Sequence, residues 1–285
     1  SDGIERGIRS VLTGVGGIPH VFHMDTKRKS REQDKIKAGI RAEAEVRKVE
    51  PHLIIASDDN AQQYLVVPYL MKCSLPIVFC GVNWDASMYG YPTDNITGKL
   101  EMELAPEAVE LMRPHARGPR AGYMSSNVAT DRKNLAYQNK YFFDGQLKGY
   151  LVSSFDEFKK AYVRAQSEVD MLVMGNYAGI TDWDADEAER FIRRNIKIPS
   201  ACFDRYMARF TVFSLSKSPE EQGEWAAQTG LRILNGTPPG EIPIARNSKT
   251  DLIVNMPLAD TLELMIPVSV LKTAEMIKSS PADSD

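Results

Sequence analysis

Apolar positions alternate along the chain between the spacing of helices and the spacing of strands. Ile4, Ile8 and Leu12 recur at the interval that places them on one face of a helix, and Gly14 follows as a stop signal. Short continuous apolar runs, typical of buried strands, separate this and later helical stretches. Such alternation from end to end predicts an α/β fold with a mostly parallel sheet.

The first hundred residues contain one run of predicted elements. We predict a helix at the N-terminus, a strand over 18–24, a helix after the capping-box pair Ser30 and Gln33, a strand over 53–56, a helix over 61–71 interrupted by Pro68, and a strand over 76–80. The tract 85–98 is rich in turn-forming residues and predicts an ordered loop. Pro106 predicts the next helix start. This region is the first candidate crossing between domains.

A second alternating set follows, with units of 20 to 30 residues. We predict strands over 120–124, 150–153, 170–175 and 200–203, and helices over 132–143, 155–166 and 185–195. A mixed segment over 209–216, a helix over 219–234, a strand over 251–256 and two short helices complete the chain. The simplest organisation of these elements is two α/β lobes. Lobe one comprises residues 1–103 with about 207–250, and lobe two comprises residues 104–206 with about 251–285.

Composition narrows the possible partners. The 285 residues include 43% hydrophobic and 26% charged residues, with a net charge of −3, so there is no basic surplus to bind nucleic acid or an anionic membrane strongly. No apolar stretch reaches the roughly 18 residues that a membrane-spanning helix needs. Three cysteines without Cys-x-x-Cys spacing predict buried free thiols. The chain opens at Ser1 without an initiator Met, which favours a processed or trimmed N-terminus.

Polar residues follow nearly every predicted strand. In open parallel sheets, ligands bind beyond the carboxyl ends of the strands, where helix N-termini direct free N–H groups. The candidate ligand-binding residues are therefore Asp58, Asp59, Asn60, Asn83, Trp84, Ser125, Ser126, Asn127, Asn176, Tyr177 and Asp204, with Tyr206 as a further aromatic candidate. Structural capping is the competing interpretation for each of them, because the same residue types form turns and N-caps.

Catalytic and metal motifs are missing from the sequence. His20 and His23 would face opposite sides of a strand, and the adjacent Asp58 and Asp59 diverge, so neither pair predicts a metal or phosphoryl site. There is no Gly-x-Ser-x-Gly elbow, and Gly14-Val15-Gly16-Gly17 stands in the wrong order for a dinucleotide loop. We predict no enzyme activity, no cofactor and no metal. A hydrolase or phosphatase that uses Asp58 is the weakest alternative.

Three segments of the first half carry a family resemblance, and the C-terminal part carries more of it. They are Ile-Ile-Ala-Ser-Asp-Asp-Asn-Ala at 54–61, Leu-Pro-Ile-Val-Phe-Cys-Gly-Val-Asn-Trp at 75–84 and Asn-Ile-Thr-Gly at 95–98; later come Leu-Ile-Val-Asn-Met at 252–256, Ala259, Ile266-Pro267 and Leu271. The chain resembles substrate-binding proteins of ABC importers, in the family that includes binders of tryptophan and related aromatic amino acids.

The resemblance implies a type I periplasmic-binding fold, with two doubly wound parallel-sheet lobes joined by a hinge and a ligand cleft between them. It implies that the candidates up to Trp84 line the cleft from lobe one and that those from Ser125 onwards line it from lobe two. One departure is that family members begin with a strand before the first helix, whereas here Ser1-Asp2-Gly3 leads straight into it. The strand has been trimmed or is absent.

The hypothesis from sequence is a non-enzymatic protein that captures an aromatic or branched amino acid and passes it to a membrane permease. Helix N-termini after Ser57 and Ser126 would hold the carboxylate, and Asp59 or Asp204 the ammonium. A sugar or nucleoside binder on the same fold and the sensing domain of a receptor are the alternatives. We expect the protein to be a monomer that binds no nucleic acid and to be periplasmic or extracellular. Anchoring to the membrane through a processed N-terminus is left open.

Overall fold

The computed structural model describes residues 2–17, 19–26 and 31–278. Its contacts divide the chain into two compact units: unit 1 is Ser1–Met102 with Ser218–Lys249, and unit 2 is Glu103–Lys217 with Thr250–Asp285. The chain therefore passes from one unit to the other after Met102, after Lys217 and after Lys249.

Helices and strands alternate along most of the described chain. The helices are α1 Asp2–Thr13, α2 Glu32–Val49, α3 Asp59–Ala61, α4 Ala105–Met112, α5 Ala129–Phe142, α6 Phe155–Glu168, α7 Ala185–Asn195, α8 Pro219–Leu234, α9 Met256–Thr261 and α10 Val268–Leu271. The strands are β1 Ile54–Ser57, β2 Ile77–Asn83, β3 Ile96–Glu101, β4 Ala121–Ser126, β5 Lys148–Val152, β6 Met171–Met174, β7 Ser200–Cys202, β8 Phe213–Lys217, β9 Ala245–Arg246, β10 Thr250–Asn255 and β11 Glu275–Ile277. The predicted α/β class is confirmed.

Unit 1 contains a parallel sheet of order β1-β2-β3-β9. Its strand β2 is buried on both faces, because successive strand side chains point in opposite directions. Ile77 and Phe79 belong to the apolar cluster on one face, whereas Val78 and Cys80 belong to the cluster on the other. This burial on both faces explains why the sequence of β2 is an apolar run without the alternation of polar residues that a half-exposed strand shows.

Helices α1 and α8 pack closely in unit 1 because glycines line their contact. A Cβ on Gly7 would come within 2.2 Å of the Glu220 carbonyl oxygen, and one on Gly223 within 2.0 Å of the Ile4 carbonyl oxygen. The close approach allows Ile4 to reach the apolar cluster around Val78.

A buried ion pair joins β3 to α8. Lys99 Nζ lies 2.6 Å from Glu221 Oε1, and the two side chains are only 5% and 4% exposed. Glu221 also accepts hydrogen bonds from the backbone N–H groups of Ser248 and Lys249, at 2.9 and 3.0 Å, just before the chain leaves unit 1. One carboxylate therefore holds a strand, a helix and an exit segment together.

Unit 2 contains a seven-stranded sheet of order β11-β10-β8-β7-β6-β4-β5, in which only the β10–β8 pair is antiparallel. Its interior strand β6 is buried along its full length. One continuous apolar cluster runs from Leu104 to Ala259 and covers both faces of this strand set.

The predicted strand over 18–24 is wrong where the structure describes it. Residues 19–25 form no strand, and Ile18 lies outside the described residues. An apolar run forms a strand only beside a neighbour that satisfies its backbone, and no described strand pairs with this one. Instead, His20 Nε2 lies 3.1 Å from Glu45 Oε1 on α2. Ser30, the predicted cap of α2, also lies outside the described residues, and Arg31 occupies the N-cap.

Two other predictions need correction within unit 1. The predicted helix over 61–71 is instead the short α3 followed by a π-helical segment, Gln62–Leu70, that contains Pro68. Proline has no N–H for the regular helical ladder. The predicted loop over 85–98 ends in β3, whose Gly98 lies against the Phe79 ring, where a Cβ would come within 2.3 Å.

The lobe boundary predicted near residue 207 is also corrected. Residues 207–217 and Glu103 belong to unit 2, not to the first lobe. The reason is strand pairing, because β8 pairs with β7 on one side and with β10 on the other.

The buried pair generates a stability prediction. We expect Glu221→Gln to lower the free energy of unfolding by about 3 kcal/mol, because it leaves the buried Lys99 charge without its partner. Adding Lys99→Met should restore most of this loss, since the introduced glutamine keeps an acceptor for the Ser248 and Lys249 N–H groups. Urea unfolding of the two variants measures the difference. A double variant no more stable than the single one would contradict the explanation.

Candidate functional site

The polar residues that follow β1 and β2 in unit 1 lie together. The Asp59 carboxylate accepts hydrogen bonds from Asn83 Nδ2 at 2.6 Å, from the Asn83 backbone N–H at 3.3 Å and from the Tyr89 hydroxyl at 2.8 Å. Burial, together with this bond to a carboxylate, raises the pKa of Tyr89. Asp59 therefore joins both strand ends to the loop that follows β2.

Two residues of this edge have unusual backbone conformations. Asp58 has φ 81° and ψ 154°, a region that is essentially restricted to glycine, and Trp84 has φ 62°. The buried Gln62 side chain supports the Asp58 turn by donating to the carbonyls of Ala56 and Asp58 at 3.0 and 3.2 Å. Strained residues of this kind concentrate at functional sites.

The remaining unit 1 candidates have distinct surroundings. Asn60 Nδ2 donates to Thr26 Oγ1 at 3.1 Å, which ties the segment before α2 to the end of β1. The Trp84 side chain is buried, at 6% exposure. Asn60 thus has a positioning contact of its own, whereas Trp84 contributes a large buried ring beside Asn83.

In unit 2 the strand order places the ends of β4, β6 and β7 side by side. Ser125 and Asn176 bind each other, since the Asn176 N–H donates to Ser125 Oγ at 3.0 Å and that hydroxyl donates to the Asn176 carbonyl at 3.2 Å. The structure therefore brings together residues 51 positions apart in sequence, as the parallel strand pattern predicts.

Asp131 holds two of the candidates and was not among the predicted residues. Its fully buried carboxylate accepts from the Ser126 hydroxyl and from Asn176 Nδ2, the latter at 2.8 Å. Asn176 Oδ1 accepts from the Ala178 N–H at 3.0 Å. Ser126 and Asn176 are thus oriented by the protein itself. The predicted helix began at 132, one residue too late to reveal Asp131 as a member of the first turn of α5.

An aromatic cluster lies beside these strand ends. Tyr177 stacks on Trp183 with ring centroids 4.8 Å apart and planes 3° apart, and Tyr206 and Phe210 contact Tyr177 edge-on at 5.7 and 5.8 Å. A small pocket of about 10 Å³, partly open to solvent, adjoins the cluster. Its lining residues are Met124, Ser125, Val152, Phe158, Met174, Asn176, Tyr177, Ile180, Trp183 and Met207. Sequence reasoning missed Trp183 because it follows β6 by nine residues, in a loop.

Asn127 and Asp204 are exposed candidates of unit 2, as is Tyr206. The Oδ1 atom and the backbone carbonyl of Asn127 both accept from Arg132 Nη1, at 2.8 and 3.0 Å. The hydrogen bonds that reach Asp204 from Cys202, Met207 and Ser214 all go to its backbone carbonyl. The surrounding protein withdraws enough water from the Asp204 carboxylate to raise its pKa, against the opposing charge of Lys217.

The protonation state of the buried thiols and the arrangement of potential metal ligands decide which chemistry these residues could support. Burial raises the pKa of Cys80 to about 12 and that of Cys202 to about 11, so both stay protonated near neutral pH. Among the described residues, no group of three His, Cys, Asp or Glu side chains could hold a metal ion. The described strand ends offer hydrogen bonds and aromatic surface.

The fold is that of a type I periplasmic-binding-like protein. The family model described as ABC transporter substrate binding protein matches residues 23–278. The chain belongs to this family, whose members are solute-binding proteins rather than enzymes and act outside the cytoplasm with a small-molecule ligand and an ABC permease.

Solved structures agree with this assignment of the fold. The chain is similar to an ABC domain in complex with L-Trp from Streptococcus pneumonia, at 19% identity over 97% of this chain and 96% of that one, with a TM-score of 0.51. It is also similar to a ligand-free, open substrate-binding protein with adhesive properties from Clostridium difficile, at 17% identity over 98% and 95%, with a TM-score of 0.69. No curated protein matches the chain significantly. No helix among the described residues is long and apolar enough to cross a membrane.

The backbone of Asp58 generates a prediction. We expect Asp58→Gly to be more stable than Asp58→Ala by about 1 kcal/mol, because both lack the carboxylate but only alanine keeps the strained Cβ. Thermal unfolding of the two variants measures this difference. Equal stability would show that the Asp58 backbone relaxes when its side chain is removed.

Proposed function

We propose that this protein captures an amino acid with an aromatic or branched side chain and delivers it to an ABC permease. The ligand-binding residues are the candidates at the ends of β1 and β2 in unit 1 and at the ends of β4, β6 and β7 in unit 2. Ligand capture involves closure of the two units about the three chain crossings.

The aromatic cluster of unit 2 and the small pocket beside it carry this proposal. Apolar and aromatic groups dominate the lining of the pocket, and the polar groups of Ser125 and Asn176 stand at one part of it. A site with a largely apolar wall and a few placed hydrogen-bonding groups suits a small ligand with an apolar body and a polar end. Tyr177 and Trp183 offer stacked rings, which favour an aromatic or branched side chain.

The polar end of an amino acid has complementary partners nearby in unit 2. The α5 N-cap, Val128, has no side-chain oxygen and makes no capping bond, so the first turn of α5 keeps N–H groups that suit a carboxylate. The exposed Asp204 carboxylate suits an ammonium group. The L-Trp bound to the Streptococcus pneumonia protein adds support, although at 19% identity that likeness concerns the fold.

The proposed setting follows from the family. Delivery to a membrane permease places the protein in the periplasm or on the outer face of the cell, where it works as a monomer. Anchoring through the N-terminus is part of this proposal. With a net charge of −3, the chain has no basic surplus for the phosphate backbone, so we expect no association with nucleic acid.

A ligand panel tests the proposed function. We expect the melting temperature to rise with L-tryptophan, L-tyrosine, L-phenylalanine or a branched amino acid, because a ligand that binds only the folded protein stabilises it. Differential scanning fluorimetry with amino acids, sugars and nucleosides makes the measurement. A rise with sugars or nucleosides alone would contradict the amino-acid assignment.

The Tyr177 ring gives a second test. Tyr177→Ala should weaken binding of the preferred amino acid about fivefold, because loss of one aromatic contact is worth on the order of 1 kcal/mol. Tyr69→Ala is the control, since Tyr69 is an exposed tyrosine of unit 1. Isothermal titration calorimetry measures both dissociation constants. Unchanged affinity in the Tyr177 variant would remove the aromatic cluster from the ligand site.

A further inference from the structure

The indole nitrogen of Trp183 in unit 2 is a buried hydrogen-bond donor. No group among the described residues accepts a hydrogen bond from its Nε1 atom. A buried donor without an acceptor costs about as much free energy as a lost hydrogen bond, and the large majority of such donors in folded proteins are paired. The Trp183 N–H therefore indicates an acceptor that the described part of the chain does not supply.

Aromatic rings surround the Trp183 side chain, and they do not replace such an acceptor. Tyr177 stacks on the indole with the ring planes 3° apart. Phe155, Phe158 and Phe210 contact it edge-on, with ring centroids 5.2, 4.8 and 5.5 Å away. The face of an aromatic ring accepts an N–H only weakly in comparison with an oxygen atom. These rings therefore bury the indole and leave its N–H able to bind a stronger acceptor.

The backbone on both sides of Trp183 is held by hydrogen bonds. The preceding residue, Asp182, accepts a hydrogen bond from the Phe155 backbone N–H at 3.0 Å. The following residue, Asp184, caps α7 by accepting from two N–H groups of its first turn, at 3.0 and 2.9 Å. Because these bonds and the ring contacts fix the indole, a hydrogen bond from its N–H to a ligand costs little conformational entropy.

Trp183 also lines the small pocket beside the aromatic cluster, together with Ser125 and Asn176. A volume of about 10 Å³ accommodates about one oxygen atom. Ser125 Oγ and Asn176 Oδ1 each accept a hydrogen bond from a backbone N–H at 3.0 Å, and oxygens of this kind can accept a second one. The lining thus combines an indole donor with two acceptors, which is the complement of a hydroxyl group.

We propose that Trp183 determines which amino acid this protein binds, by donating its indole N–H to a hydroxyl oxygen on the side chain of the ligand. L-Tyrosine carries a hydroxyl at the end of an aromatic ring and is the preferred ligand. L-Phenylalanine lacks this oxygen, and a site built around a hydrogen bond discriminates against the analogue without it. This inference rests on the proposed function, because it selects one member of the proposed class of ligands.

Calorimetric titration with L-tyrosine and L-phenylalanine tests this role. Wild-type protein should bind L-tyrosine about tenfold more tightly, because L-phenylalanine leaves the buried N–H unpaired. Trp183→Phe keeps an aromatic ring without the N–H, so it should bind the two amino acids with similar affinity. The ratio of the two dissociation constants is the measure, since altered packing affects both ligands. Trp225→Phe, the same change in unit 1, is the control and should keep the wild-type ratio.

Nuclear magnetic resonance of the indole N–H groups gives a second readout on wild-type protein. The chain has three tryptophans, and the Trp183 signal is the one that Trp183→Phe lacks. A hydrogen bond to oxygen moves an indole proton downfield, so saturating L-tyrosine should move this signal further downfield than saturating L-phenylalanine.

Two kinds of failure are distinguishable in these experiments. Equal affinity of the wild type for L-tyrosine and L-phenylalanine, or a ratio that Trp183→Phe leaves unchanged, would overturn the role of Trp183 and leave the proposed function standing. Equal movement of the indole signal with both ligands would do the same. If no amino acid of the panel binds, the proposed function and this inference fail together.

Discussion

Parallel pairing of buried strands is the constraint on which the rest of this structure depends. In both units it requires helices on each face of the sheet, and it brings the carboxyl ends of neighbouring strands to one edge. Ser125 and Asn176 meet for this reason alone, as do Asp59 and Asn83. The candidate site residues therefore come from the ends of strands whose interiors are almost entirely apolar.

Charged residues near the chain crossings make different contacts in the two units. In unit 1, Lys99 and Glu221 neutralise each other, and Glu221 uses its remaining capacity on backbone N–H groups at the exit. In unit 2, Glu103 and Lys217 stand at the crossings, and the Glu103 carboxylate accepts a hydrogen bond from Gln138 Nε2 on α5. The buried Lys99–Glu221 pair favours one arrangement of its strand, helix and exit segment, because separating either partner would leave a buried charge alone.

Several candidate residues have a structural role of their own. Asp59, Ser126 and Asn176 are engaged in hydrogen bonds within their own unit, as the capping interpretation of such residues would suggest. These bonds hold the three side chains in one orientation. Asp204 and the Tyr177 ring differ, because the bonds that position Asp204 reach its backbone carbonyl and the contacts of the Tyr177 ring are with other aromatic rings.

The sequence by itself determined the alternation of elements, and with it the α/β class and the polar strand ends. Helix α8 begins and ends where capping and stop signals place it, because those signals act over a few residues. The strand over 18–24 failed because a strand depends on a neighbour that local sequence does not reveal. Strand β3 was missed because Gly98 and Lys99 look like loop residues until the Phe79 ring and the Glu221 carboxylate are placed beside them. Only the tertiary structure decided these points, together with the membership of β8 in unit 2 and the burial of Asp131, since each rests on contacts between residues distant in sequence.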